Sequence, residues 1–257
     1  MKRSLTAAMV ATTLLGGCAV GKDPRDPLEN FNRAMFTVND NIDKYALKPT
    51  AEVYHDHVPS FVQTGVYNFF GNLGDVWTAL NQFLQGRLGD GVTDTMRVAI
   101  NTVFGFAGVL DIASEAGLPK HKQDFGATLG TWGLPSGPYV VLPFFGPSNV
   151  RDAAALPVDV KGDVYWHYAE PVAARNAGTA LRVVDTRSGL LDAGGLIEEA
   201  ALDRYAFLRD GYMQRRANKI RDNREGSIFS REDQAPKKRK EEPQDDDKQE
   251  GKQDDKR

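Results

Sequence analysis

The sequence predicts an all-helical protein, and three observations predict it. Behind Asp26-Pro27-Leu28-Glu29, apolar residues at Leu28, Phe31, Met35, Val38, Ile42 and Tyr45 alternate three and four apart, the spacing of one helical stripe. Val92, Met96, Ala99, Ile100 and Val103 repeat that period, and helical pieces resume at Pro171 to Val184 and from Leu196 to about Asp222. The longest uncharged run, Phe125 to Val150, is broken by Pro135, Pro138, Pro143, Pro147 and several glycines, so it cannot cross a bilayer as a helix.

The N-terminus has its own logic. Lys2 and Arg3 precede an uncharged segment from Ser4 to Gly17, which ends in Leu15-Gly16-Gly17-Cys18. A basic start, a short apolar run and small residues describe an export signal; small residues leading into cysteine resemble the lipobox of bacterial lipoproteins. That resemblance implies cleavage before Cys18 and acylation of its sulfur and new amino terminus. Cys18 is the sole cysteine, so acylation also removes an unpaired thiol from an oxidising compartment. Ala19, where lipoproteins kept at the inner membrane commonly carry Asp, favours sorting to the outer membrane. The domain plan is a signal peptide over 1–17, a lipidated tether over 18–25, one helical domain over 26–224 and a charged tail over 225–257.

From Cys18 onward 240 residues remain, with 30 basic and 35 acidic side chains, a net charge near −5 that invites no nucleic acid. Asp26-Pro27-Leu28-Glu29 reads as a cap, a first-turn proline and a third-position acid. Beside the apolar stripe of the first helix runs a flank of Asn32, Phe36, Asn39 and Asp43; a core-facing stripe with solvated asparagines is its plain reading. A break is expected at Lys48-Pro49, then a polar loop over Glu52 to Pro59 holding His55-Asp56-His57. No second cluster completes a metal site there. Helices are expected over Phe61–Phe70, Val76–Leu84 behind Asp75, Asp90–Phe104 and Phe125–Trp132, with Ser148 capping another that begins at Asn149.

Between these helices lies Pro138-Tyr139-Val140-Val141-Leu142-Pro143-Phe144-Phe145, eight residues all aliphatic, aromatic or proline. Prolines exclude a helix and remove strand donors, which leaves an irregular apolar loop suited to a core or a membrane. From Arg231 to Arg257 nine basic and ten acidic residues occupy 27 positions without an aromatic or a large aliphatic, the composition of a disordered tail. No G-x-S-x-G, H-E-x-x-H or P-loop pattern occurs, and Cys18 is unavailable as a nucleophile once acylated, so the reading is of a non-enzyme without cofactors.

The ordered run of Asp26-Pro27-Leu28-Glu29 with Phe31-Asn32-Arg33, Asn68-Phe69-Phe70-Gly71-Asn72-Leu73, Leu84-Gln85-Gly86 and Asp111-Ile112-Ala113 resembles the VacJ/MlaA family of outer-membrane lipoproteins. Asp124-Phe125-Gly126-Ala127-Thr128-Leu129-Gly130, Gly137 through Pro143, Gly146-Pro147-Ser148 and Arg151-Asp152 extend the likeness, which covers about Asp26 to Arg216. The resemblance implies a single ring-like helical domain seated in the periplasmic leaflet beside a trimeric porin. It implies removal of misplaced phospholipid from the outer leaflet and delivery to a soluble periplasmic carrier. A structural lipoprotein that merely scaffolds porins or surface proteins is the competing class.

A phospholipid in transit needs its charged headgroup kept out of hydrocarbon, so a conduit requires a polar track beside an apolar one. Met35, Val38 and Ile42 are candidates for the tail side and Asn32 and Asn39 for the headgroup side, with core packing as the rival. Pro138, Tyr139, Val140, Val141, Leu142, Pro143, Phe144 and Phe145 are candidates for a loop or hairpin that meets lipid or gates the opening.

Overall fold

The computed structural model describes residues 23–230, so the signal segment, Cys18 and residues 231–257 of the charged tail lie outside the described residues, whereas residues 225–230, expected to belong to that tail, end the last helix and form a short turn on the body. The chain begins with α1 (Glu29–Ile42), a π-helical turn (Asp43–Leu47) and α2 (Lys48–His57). It continues through α3 (Ser60–Leu84), α4 (Leu88–Phe104), α5 (Ile112–Glu115) and α6 (Phe125–Thr131). Two strands follow, β1 (Tyr139–Leu142) and β2 (Gly146–Asn149), then α7 (Val150–Gly162), α8 (Val164–Tyr168), α9 (Val172–Ser188), α10 (Leu191–Ala200) and α11 (Arg204–Glu225), with a closing 3₁₀ turn at Ile228–Ser230.

Several sequence expectations change here. Asp26 does not cap α1: its side chain is fully buried and bonds to Asn32, Tyr205 and Arg209, while Leu28 stands at the cap without a side-chain bond. The chain does not break at Lys48-Pro49. One π turn, in which Lys48 N donates to Asp43 O, opens the helix just ahead of the proline and accommodates its ring and missing donor. The expected His55-Asp56-His57 loop is therefore the last turn of α2. Gly71-Asn72 likewise ends nothing. α3 runs 25 residues through it, because Asn72 is buried and donates to Thr102 Oγ1 at 3.0 Å across the α3–α4 contact, which outweighs the roughly 1 kcal/mol cost of a mid-helix glycine. The final helical stretch is two helices, α10 and α11, divided near Leu202.

The packing closes on itself. The α1–α2 rod packs through α2 on α9; α9 meets α3 and α8; α8 meets α7; α7 meets both strands; and β1 returns to α1. This is the ring that the resemblance implies. α4 lies along α3, and α11 covers α6 and β2. Gly162 lies under the Trp77 ring, where a Cβ would come within 2.3 Å, so α7 and α3 meet at a side chain and a bare backbone.

Polarity is inverted relative to a protein folded in water. Arg97, Asp94, Asn81, Gln82 and Gln85 are completely buried, whereas Phe106 is 79% and Phe144 80% exposed, with Phe61, Val103, Phe104 and Phe145 also outward. The buried apolar cluster is small: Tyr139, Val141 and Tyr205, flanked by Met35, Phe36, Tyr212 and Met213. Among the described residues no helix is long and apolar enough to cross a membrane.

Candidate functional site

The apolar stretch Pro138–Phe145 is not an irregular loop. It builds an antiparallel hairpin with Tyr139 opposite Asn149 and Leu142 opposite Gly146. Its prolines sit where they harm no pairing: Pro138 precedes the strand, Pro143 enters the turn, and Pro147 tolerates its register position on a two-stranded ribbon. The turn Pro143-Phe144-Phe145 places Phe144 in the left-handed region at φ 65° and Gly146 at φ 79°. Phe144 and Phe145 project from the tip, while Tyr139 and Val141 point into the core.

Two side chains hold this ribbon on α1. Asn32 donates through Nδ2 to Asp26 Oδ1 at 2.7 Å and Tyr139 O at 3.1 Å, and its Oδ1 accepts from Val141 N at 2.8 Å. Two turns later Asn39 donates to Leu142 O at 2.9 Å and accepts from Phe144 N at 2.8 Å. With Tyr139 N donating to Arg25 O at 3.0 Å, these amides take the place of a third strand along the edge of β1. The asparagine flank is thus engaged with backbone rather than with water or a headgroup. Met35 packs against the Tyr139–Val141–Tyr205 cluster, Ile42 is half-buried and Val38 is exposed.

Beneath the hairpin lies a recess of ≈ 230 Å³ with two kinds of wall. Leu142, Phe145, Pro147 and Leu156 form the apolar side, and Asp124, Asp152, Asp159, Tyr212 and Arg216 the polar side. Arg216 organises the latter, donating to Asp124 Oδ2 at 2.7 Å and lying 2.6 Å from Asp152 Oδ2. Burial opposes charge on Asp124 and Asp152, yet Arg216 holds both carboxyls below the usual range. Asp159 accepts from Trp77 Nε1 at 2.8 Å and Phe125 N at 2.7 Å, and burial pushes its carboxyl up. Gly126 is required at this point, since a Cβ would stand 2.6 Å from Asp152 Oδ1 and 2.8 Å from Arg216 Nη2. The recess therefore offers hydrocarbon and a fixed, paired charge network a few ångströms apart.

A second polar node ties the α4–α5 corner. Fully buried Arg97 donates to both Asp111 oxygens at 2.9 and 3.0 Å, to Ser114 Oγ at 3.1 Å and to Leu118 O at 2.6 Å. Burial works against the Asp111 carboxylate, but bonds from Ser114, Asn101 and Arg97 bring it down to about 2. The corner this node braces exposes Phe104 and Phe106, and Phe106 and Ala107 adopt left-handed backbone at φ 52° and 58°.

Sequence reasoning did not assign roles to Arg97, Asp159, Tyr212 or Arg216. Asp124, Asp111 and Arg151-Asp152 stood in the family-like motifs, but as words without a role. His55 and His57 end α2, and no group of three or more His, Cys, Asp or Glu gathers at metal-binding distance among the described residues.

Comparison with known proteins accords with this architecture. The family model described as MlaA lipoprotein matches residues 24–219. The intermembrane phospholipid transport system lipoproteins MlaA of Shigella flexneri and Escherichia coli K12 are each 37% identical over 223 residues, covering 84% of this chain and 88% of the relative. The protein of that name from Haemophilus influenzae is 30% identical, covering 86% of this chain and 92% of the relative. A solved structure described as the structural basis for maintenance of bacterial outer membrane lipid asymmetry superposes with a TM-score of 0.63 at 33% identity, covering 76% of this chain and 98% of that one. Ring, hairpin and matching sequence lead to one conclusion: the chain belongs to the MlaA lipoprotein family.

Proposed function

We propose that this protein is an outer-membrane lipoprotein, held in the periplasmic leaflet through acylated Cys18, that takes mislocalised phospholipid from the outer leaflet and passes it to a soluble periplasmic carrier. The observation that carries the reading is the inverted polarity: phenylalanines outside, paired charges and amides inside, on a closed ring. In water such a surface would associate; in hydrocarbon, apolar side chains outside and polar groups inside are the ordinary arrangement. The relatives' names, which specify phospholipid transport, support the cargo.

In this reading the exposed outer residues sit among acyl chains and the hairpin recess meets the migrating lipid. Met35, Val38 and Ile42 line the tail side, and Asn32 and Asn39 act by holding the hairpin in register. Phe144 and Phe145 at its tip contact lipid. The protein conveys its cargo and makes or breaks no bond in it, and a porin trimer beside it supplies a rigid support in the membrane. The deciding experiment is a deletion strain assayed for surface-exposed phospholipid. Exposure should rise on deletion, fall with the wild-type gene, and stay high with Cys18→Ala. Unchanged exposure in the deletion strain would leave the scaffolding role in its place.

A further inference from the structure

A second recess, ≈ 610 Å³ and open, runs along α11 beside residues 121–123 and the start of α4. From Gly211 to Asp222 it follows one face of the helix for about 16 Å. No hydrocarbon side chain lines it, so acyl chains have no place there. Its permanent charges are four cations, Arg87, Lys122, Arg215 and Lys219, against one carboxylate, Asp222.

The protein answers only part of that charge. Arg87 pairs with Asp90 at 2.5 Å, Lys219 with Asp124 at 3.2 Å and Asp222 with Arg221 at 3.2 Å, while His121 Nδ1 lies 3.0 Å from Asp94. Lys122 and Arg215 are exposed and have no ion pair among the described residues. Gln214 and Asn218 line the same face of α11, also exposed, and neither side chain makes a hydrogen bond among the described residues. Burial, with the like charges of Arg216 and Lys122, pulls the Lys219 ammonium below its ordinary range although Asp124 opposes it. The groove is a region of uncompensated positive potential with amide donors at hand.

Gly211 is a second, independent observation. It lies in the interior of α11, where glycine is less favourable than alanine, yet a Cβ there would meet nothing within 4 Å. Packing within the protein does not call for the glycine, whereas a ligand approaching the helix backbone would. Guanidinium, ammonium and amide groups around an open space match a tetrahedral anion with several acceptor oxygens better than a flat carboxylate.

We propose that this groove binds a phosphate ester, held by Lys122 and Arg215 with Gln214 and Asn218 as neutral donors and Gly211 as the clearance. The Lys219–Asp124 pair divides it from the hairpin recess, since Asp124 is a wall of that recess. The site does not depend on what the recess binds. A lipid headgroup as the source of the phosphate rests on the transport reading; a soluble phosphate ester does not.

Phosphorus NMR of glycerol phosphate, titrated with the full chain in a maltoside detergent, tests the site. The resonance should broaden or shift with wild type, and Lys122→Ala combined with Arg215→Ala should weaken binding at least about tenfold. Arg215→Lys should keep most of it. Gly211→Met, which fills the clearance from an exposed position, should weaken binding severalfold while the melting temperature stays equal or rises. Phosphatidylglycerol added to the micelles identifies the source: displacement of glycerol phosphate assigns the groove to a headgroup, and no displacement assigns it to a soluble ester. No response with wild type, or equal affinity in wild type and the double variant, would overturn the site, and neither result bears on surface phospholipid in the deletion strain.

Discussion

Asn32 shows how much one side chain can decide. It satisfies a buried carboxylate, a strand carbonyl and a strand N–H at once. Asn32→Ala should cost about 2–4 kcal/mol, because it strands groups that water cannot reach. Asn39→Ala, at a half-buried position, should cost nearer 1 kcal/mol; denaturant unfolding in detergent distinguishes the two. Asp159 carries the opposite lesson. Its folded pKa is raised, so its contribution favours the fold at acid pH and is lost as pH rises from the unfolded value through the folded one. Asp159→Asn keeps an oxygen for Trp77 and Phe125 and should leave stability at pH 7 unchanged or higher, with less loss between pH 4 and 7 than wild type. Thermal melts across that range read the difference. Asp111 behaves in reverse: its stabilisation is complete above the unfolded carboxylate pKa and disappears as pH falls towards about 2.

At the scale of the element, the hairpin is the case to test. Phe144 is exposed at the tip and held at φ 65°, a conformation that costs a bulky residue about 1–2 kcal/mol and that asparagine tolerates. Local stability therefore argues against phenylalanine there, and contact with lipid argues for it. Phe144→Asn should leave the melting temperature equal or higher while lowering complementation in the surface-phospholipid assay. Equal complementation would remove the tip from the transport path. The ribbon itself depends on α1, since a two-stranded sheet is marginal alone and here gains an edge of asparagine amides.

For the whole molecule, inverted polarity predicts the solvent. Phe61, Phe104 and Phe106 are three widely exposed rings on α3 and the α4–α5 corner. Replacing all three with Glu should reduce partition into vesicles at least about tenfold while leaving far-ultraviolet circular dichroism unchanged, since none of the rings is buried. Flotation with phospholipid vesicles measures it, with the acyl anchor removed to isolate the body. Retained flotation would mean that this face does not enter the leaflet.

Much of this was legible in the chain. The three-four spacing of Leu28 to Tyr45 and of Val92 to Val103 located α1 and α4, and the ordered motifs located the family. The same motifs also contain the residues that make the polar interior, Asp111, Asp124 and Asp152 among them. What misled was local grammar. Lys48-Pro49 and Gly71-Asn72 carry the marks of helix ends, and a π turn and the α3–α4 contact carried the helices through. Asp26 carries the mark of a cap and became a buried acceptor for Asn32 and Tyr205. Periodicity and motif order are properties of neighbours along the chain, so sequence alone determined the helices and the kinship. That Asn32 and Asn39 both face backbone depends on partners about a hundred positions away, and the ring, the hairpin's seat and the paired recess came into being only when the tertiary structure brought those partners together.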